Sequence, residues 1–400
     1  MDRIRLYHFS PFAYLILTAC GGGGSGGSSS QNLQFGGNII KGPLSNATVF
    51  VDYDGDGILD SGEPSTTTDS NGAFTLTSTS STAQIVATTD ANTIDTSTGQ
   101  SLAGVILKAP AGSKVVSPSS TLMQEGNLTA TQVASVLGLD GVDILNFNPY
   151  ASGADAATAL KVEKTAQQLM NTVKSIAAAG EGAGATVSTS FASALESVVD
   201  VIKTKASSPG SLIDFTNTTD LNAIKTAAST KFTGKVTNKT AFDTVMTSVV
   251  TSVKNVNDTI KSVTDLTSDA TKNTFANTVT LTNQVKTAAE AEVSSPGSSN
   301  IQFTDASFTN AAAGNAAPTA LSLSNSSISE NASSLNIGSL ITTDADQDEN
   351  TKFIYTLSGA DSSYFSIDTD GKLSLKAQPD FETKPKYAIT VKATDDGGKD

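Results

Sequence analysis

Tryptophan is absent, and cysteine and histidine occur once each, at Cys20 and His8. Arginine does not occur after Arg5. Each absence removes a class of chemistry. Nucleic-acid binding uses basic patches in which Arg makes bidentate contacts, so it is not expected here. Without histidine after residue 8 there is no Ser-His-Asp or Cys-His nucleophile and no His-ligated zinc or iron site. A single cysteine forms no internal disulfide, so stability has to come from apolar cores or bound metal. What the chain does carry is oxygen. It has 39 acidic against 25 basic residues and a net charge of -14, and oxygen ligands suit hard cations, calcium above all. Charged residues are 16% and aromatics 6%, and this composition, rich in Thr, Ser, Ala and Gly, reads as a secreted surface protein rather than a cytosolic enzyme.

The N-terminus pairs Arg3 and Arg5 with an apolar run from Phe12 to Leu17 and the sequence Leu17-Thr18-Ala19-Cys20. That is the pattern of a secretory signal peptide, too short to span a membrane. The Leu-Thr-Ala-Cys ending resembles the lipobox of bacterial lipoproteins, which implies that Cys20 is the lipidated first residue of the mature chain. The Gly/Ser tract from Gly21 to Ser30 behind it cannot bury a thiol and acts as a flexible tether.

Four hundred residues allow two or three domains. The expected fold class is multidomain: an all-β sandwich, then an all-α helical region, then a second, incomplete β-sandwich. The expected boundaries are a signal peptide over 1–20, a linker over 21–36, a β domain over 37–110, a helical region over 111–293, a linker over 294–317 and a final β segment over 318–400. In the first β domain short strands are expected at 38–41, 47–51, 73–76, 84–88 and 104–107, with Asn71-Gly72 as a hairpin turn. In the helical region a short helix starts at Thr129 and stops at Gly138, and longer ones run from Asp155 to Ala179 and through Phe191 to Ile202. The clearest stripe is Phe242, Val245, Val249, Val253, Val256, Ile260 and Val263 at three-and-four spacing. It serves either a coiled-coil face or, by the more general expectation, the core of a helical bundle. A helix carrying Phe275, Val279, Leu281 and Val285 would partner it. In the last segment strands are expected at 320–323, 352–357, 364–367, 372–375 and 387–393.

Two acidic constellations carry chemistry. Asp52-Tyr53-Asp54-Gly55-Asp56-Gly57-Ile58-Leu59-Asp60-Ser61-Gly62-Glu63 fits the twelve-residue calcium loop. Asp52, Asp54 and Asp56 hold positions one, three and five, Gly57 the turn at six, Ile58 position seven, Asp60 nine and Glu63 twelve. Carboxylates so dense repel one another unless a cation neutralises them. A strand rather than a helix leads in. The stretch from Ala47 to Leu76 resembles the B-type repeats of bacterial surface adhesins, which implies an immunoglobulin-like sandwich with calcium in this loop.

The second is the segment from about 316 to 400. Ile328-Ser329-Glu330-Asn331, Thr343 to Asn350, Phe365-Ser366-Ile367-Asp368, Gly371-Lys372-Leu373, Asp380-Phe381-Glu382 and Val391 to Asp395 together resemble a cadherin repeat. The resemblance implies an incomplete cadherin-like β-sandwich with calcium ligands at Glu330, Asp344, Asp346, Asp380, Glu382 and Asp395, with Asn350 matching the motif's asparagine. The preceding Asn315-Ala316-Ala317-Pro318 lacks the extra acids of that family, and the last strand of a seven-stranded sandwich is expected beyond Asp400.

No catalytic residues are expected. Ser117-Pro118-Ser119-Ser120-Thr121 offers hydroxyls but no base to activate one, and aromatics to stack a sugar are scarce. The expected role is a lipid-anchored adhesion or structural protein on the bacterial surface, held at the outer membrane. Its partners would be the membrane, through the anchor, and a homophilic or heterophilic surface protein or glycan. The alternative is a glycan-binding or glycan-degrading lipoprotein whose active module lies beyond residue 400.

Overall fold

The computed structural model describes residues 33–299, 318–344, 353–368 and 371–394. Ten strands come first: β1 Leu33–Ile39, β2 Leu44–Ser45, β3 Thr48–Asp52, β4 Ser65–Thr67, β5 Ala73–Ser78, β6 Gln84–Thr88, β7 Ile94–Asp95, β8 Gln100–Ser101, β9 Ile106–Ala109 and β10 Val115–Val116. They form sheets ordered β10-β1-β5, β4-β3-β6-β9 and β2-β7-β8. In β5 the alternation is strict, with Phe74 and Leu76 buried and Thr75 and Thr77 exposed, as expected of a strand with one wet face. In β3 Val49, Phe50 and Val51 are all buried, because both faces of that strand are covered.

Besides the unexpected short strands β2, β4, β7 and β8 and the shift of the strand expected at 104–107 to Ile106–Ala109, the strands differ from expectation in three places. β1 begins at Leu33, inside the stretch expected to be linker. β10 lies beyond residue 110 and pairs in parallel with β1, Asn38 with Val115 and Ile39 with Val116. Asn71-Gly72 turns the chain, with Gly72 at φ 71°, but the strands on either side, β4 and β5, belong to different sheets. The turn therefore carries the chain across the core rather than closing a hairpin. A Cβ at Gly72 would press on the Ile39 carbonyl oxygen and Leu44 N, so glycine also permits this close passage.

Eight helices follow among the described residues: α1 Pro118–Gly126, α2 Ala130–Val136, α3 Ala156–Gly182, α4 Val187–Ala206, α5 Thr218–Lys231, α6 Lys239–Ser262, α7 Asp269–Ala276 and α8 Thr278–Ser294. Seven are capped by a side chain, from Ser117, Thr129, Asp155, Thr186, Asn217, Asn238 and Ser268, each satisfying an otherwise orphaned N–H. Their many threonines fold back on the helix. The Thr165, Thr172, Thr226 and Thr259 hydroxyls donate to the carbonyls four residues earlier. This satisfies the hydroxyl at the cost of helix propensity. Tertiary packing holds the helices instead. α3 packs against α4, α6 and α8, and the stripe from Phe242 to Ile260 on α6 is fully buried within the chain. That stripe is core, not an open coiled-coil face. Phe242 stacks on Phe232 at 4.4 Å. The single helix expected around Phe275 to Val285 is two, α7 and α8, divided at Asn277.

One hydrophobic core runs from Phe35 and Val49 in the sheets through Leu122 in α1 to Val285 and Ala289 in α8. The boundary expected at 110/111 therefore leaves β10 on its helical side and does not divide the core.

The C-terminal region holds six strands among the described residues: β11 Ala320–Leu323, β12 Asn336–Thr343, β13 Ile354–Ser358, β14 Phe365–Ile367, β15 Lys372–Leu375 and β16 Thr390–Thr394. The sheets are β11-β12-β15-β14 and β13-β16. β14 and β15 form the expected hairpin, Phe365 opposite Leu375 and Ile367 opposite Leu373, with Gly371 at φ 73°. The core here is small: Phe365, Leu373 and Leu375 are buried, with Leu323, Ile337, Leu357 and Tyr387 partly covered around them.

Candidate metal centre

β3 delivers Asp52 to the rim of its sheet while keeping it only 1% exposed. Asp52 pairs with Gln84 of β6, and the Gln84 amide donates to Asp52 Oδ2 at 2.7 Å. The N–H of Gly57 donates to the same oxygen at 2.8 Å and that of Gly55 to Oδ1 at 2.6 Å. Gly55 and Gly57 adopt φ 86° and 78°, which glycine reaches without strain. The loop thus wraps its N–H donors around its first carboxylate. Burial alone would raise the Asp52 carboxyl, but the Gln84 amide, the two glycine N–H groups and the Lys108 charge together hold it below the ordinary carboxylate value.

Glu63 closes the other end. Its Oε1 accepts from Tyr53 N at 2.7 Å and its Oε2 from Asp60 N at 3.0 Å. Val51 N donates to the Pro64 carbonyl at 3.0 Å, so the chain returns beside the strand it left and enters β4. Between these ends Asp54 accepts from Asp56 N and Asp56 from Ile58 N.

This geometry gathers carboxylate oxygens of Asp52, Asp54 and Glu63 within 4.8 Å of one another, and those of Asp54, Asp56 and Asp60 likewise. A calcium ion with ligands at about 2.3–2.6 Å has a coordination sphere of about that width, so both triples fit one. Asp54 belongs to both. The Asp60 carboxyl is pushed up by desolvation and then by the charges of Asp56, Asp54, Glu63 and Asp52. Ile58 is 63% exposed; it can contribute only a backbone carbonyl. Two contributors were not evident from the local spacing: Gln84, which orients Asp52, and Lys108 of β9, whose Nζ would lie 3.2 Å from a Cβ at Gly57. Lys108 also pairs with Glu125 of α1 at 2.8 Å. A strand on each side of the loop, β3 and β4, stands where flanking helices would be in an EF-hand.

The C-terminal candidates are arranged differently. Glu330 reaches the 380–382 segment, its Oε2 accepting from Phe381 N at 3.3 Å. Asp380 accepts from the N–H and hydroxyl of Thr383, and chiefly these bonds hold its carboxyl below the ordinary value. Glu382 is exposed and Asp344 is half-buried at the end of β12. Among the described residues no three of these acids share a 4.8 Å cluster. Asp346, Asn350, Asp395 and the lipidation candidate Cys20 lie outside the described residues.

Ser117 to Thr121, set aside as a source of nucleophiles, is the start of α1. Ser117 and Ser120 form a reciprocal capping box with Pro118 at the first helical position, a local signal open to detection from the sequence.

Residues 324–400 match the family model of the cadherin domain. The match covers β12 to β16, so the chain carries a cadherin-like domain there. No curated protein and no solved structure matches the chain. Among the described residues no helix is long and apolar enough to cross a membrane.

Proposed function

We propose that this chain is a cell-surface adhesion or structural protein, tethered by lipid at Cys20, whose β modules are stiffened by calcium. The observation that carries the reading is the paired carboxylate cluster of Asp52, Asp54, Asp56, Asp60 and Glu63 on the rim of a buried sheet. Its first and last acids are already oriented by backbone N–H groups, so a cation entering the loop meets ligands that need little reordering. The cation offsets like-charge repulsion and ties the β3–β4 connection to the sheet. The cadherin-domain match supports the adhesive or architectural part, since such domains bind calcium and partner proteins. The role is non-enzymatic in this reading, consistent with a chain without histidine after residue 8. Surface localisation rests on the cadherin match and on the lipobox-like ending at Cys20, and an outer-membrane anchor and a surface protein or glycan partner extend it.

The test is a calorimetric calcium titration of the full chain against Asp54→Ala. The wild type should bind with measurable heat, and the variant, which lacks the acid common to both triples, should lose the tightest phase. A wild type that shows no calcium binding contradicts the proposal.

A further inference from the structure

The loop that gathers the carboxylates also carries an apolar tip. Among the described residues of 33–299, six large apolar side chains are well exposed, and three of them, Tyr53, Ile58 and Leu59, lie in this one loop. The other three, Val187, Leu212 and Val293, stand apart along the helical part of the chain. A lone exposed apolar residue is ordinary, but a cluster marks a contact surface. Ile58 and Leu59 take no part in the hydrophobic core. The backbone holds them outward: Gly57 precedes them at φ 78°, Gly62 follows at φ 100°, and Ile58 N donates to Asp56 Oδ1 at 2.7 Å.

Their place in the fold indicates what they face. Ser78, the last residue of β5, lies opposite Leu33, the first residue of β1. Tyr53 Oη and Ser78 Oγ are 3.2 Å apart. The loop therefore sits at the end of the sheet through which the chain enters the β region. Residues 21–32 separate Leu33 from Cys20, a reach of about 45 Å at full extension. A surface that holds Cys20 keeps this end of the fold beside it, at an effective concentration on the order of millimolar.

We propose that the Ile58-Leu59 tip is a calcium-dependent membrane contact that docks the β region on the bilayer anchoring Cys20. The inference rests on the lipid tether and the calcium loop of the proposed function. Without a cation, the carboxylates of Asp52, Asp54, Asp56, Asp60 and Glu63 are repelled by anionic headgroups. Calcium removes that repulsion, and coordination positions that the loop leaves open can take headgroup phosphate oxygens. Ile58 and Leu59 then enter the boundary between headgroups and acyl chains. The Tyr53 ring lies at the interface, where amphipathic aromatic rings are favoured. Two aliphatic side chains make a shallow contact, so it depends on the tether as well as on calcium.

The chain has no tryptophan and one cysteine, which gives a unique reporter and a unique anchor. Full-length Ile58→Trp is coupled through the Cys20 thiol to a maleimide lipid in phosphatidylglycerol-containing vesicles, with or without brominated acyl chains. This fixes the tether whatever the native state of Cys20. In calcium the indole emission should shift to the blue and brominated chains should quench most of it. In chelator, or with Asp54→Ala added, the quenching should be lost. Val187→Trp is the positional control. Val187 lies beside Gly104, at the end of β6 and β9 opposite Asp52 and Gln84, and its reporter should stay unquenched throughout. Ile58→Trp emission that brominated chains leave untouched in calcium overturns the proposal. If calorimetry on the same chain still shows calcium binding, the calcium loop survives that result; if it shows none, both readings fall. Quenching that persists in chelator, or is equal at positions 58 and 187, also overturns the membrane contact. So does a calcium-induced blue shift without quenching, which would mean that protein rather than lipid covers the tip.

Discussion

Residues 33–299 and the cadherin-like segment both bear acidic loops on β-sheets, but they back those loops differently. In the first, sheets and helices share one continuous core, and Asp52 sits at the end of a strand whose Val49, Phe50 and Val51 are fully buried. In the second, three side chains form the buried centre, a groove of about 500 Å³ runs beside them past Ile328, Phe381 and Tyr387, and Asp380 and Glu382 are exposed. The difference teaches where preorganisation comes from. A carboxylate fixed by a buried strand and by its own loop's N–H groups is ready for a cation, whereas acids on a thinly cored segment are held by bonds to their immediate neighbours.

The contrast in core depth is the easiest to break. Phe242→Ala should cost about 3–5 kcal/mol, because its ring is fully buried and stacked on Phe232. Phe381→Ala, at a ring 64% exposed, should stay within about 0.5 kcal/mol. Denaturant unfolding of the two variants measures both, and comparable losses would erase the distinction.

Acid and base should act with opposite sign through Glu163 in the first region and through Asp361 in the cadherin-like segment. Burial first, then the Asp95 charge, gives Glu163 a folded pKa of about 7 against 4.5 ordinarily. Between those values the folded chain binds a proton that the unfolded chain has released, so stability falls as pH rises from about 4.5 to 7, by at most about 3 kcal/mol. Glu163→Gln should flatten that slope. In the cadherin-like segment Asp361 is held low, first by Lys384 and then by Ala388 N, so its contribution is present above the ordinary carboxylate value and lost on acidification. Stability measured across that pH range for wild type and Glu163→Gln sharpens the comparison, and an unchanged slope in the variant refutes it.

The smallest effect is expected where neither core nor cavity is involved. Lys272→Ala removes an exposed pair with Asp269 and should shift stability by less than about 0.5 kcal/mol. A larger loss in a thermal melt would mean that the surface of α7 matters more than its burial implies.

Much of this was legible where the signal is local. The acid spacing from Asp52 to Glu63, the caps at Thr129 and Asp155 and the α6 stripe all lie within one or a few turns of chain. Helix α5 was hidden because only Leu221, Ile224 and Ala228 mark its buried face. β12 was hidden because Gly338-Ser339 breaks its alternation. Gly338 is needed there, since a Cβ would press on Asn325 N and O, and the register shifts beside it. Strands of two residues, such as β2, β7, β8 and β10, carry no period at all. The buried cluster of Lys41, Asp95 and Glu163 was invisible for another reason: each looks like a surface charge, and only the tertiary fold brings them together.

The central claim is that the Asp52–Glu63 loop is a preassembled cation site. Hydrogen exchange of the full chain, in calcium and in chelator, tests it most directly. Calcium should slow exchange at the amides of Gly55, Gly57, Ile58 and Asp60, which already donate to or border the loop's carboxylates. Identical exchange across residues 52–63 in the two conditions would contradict it.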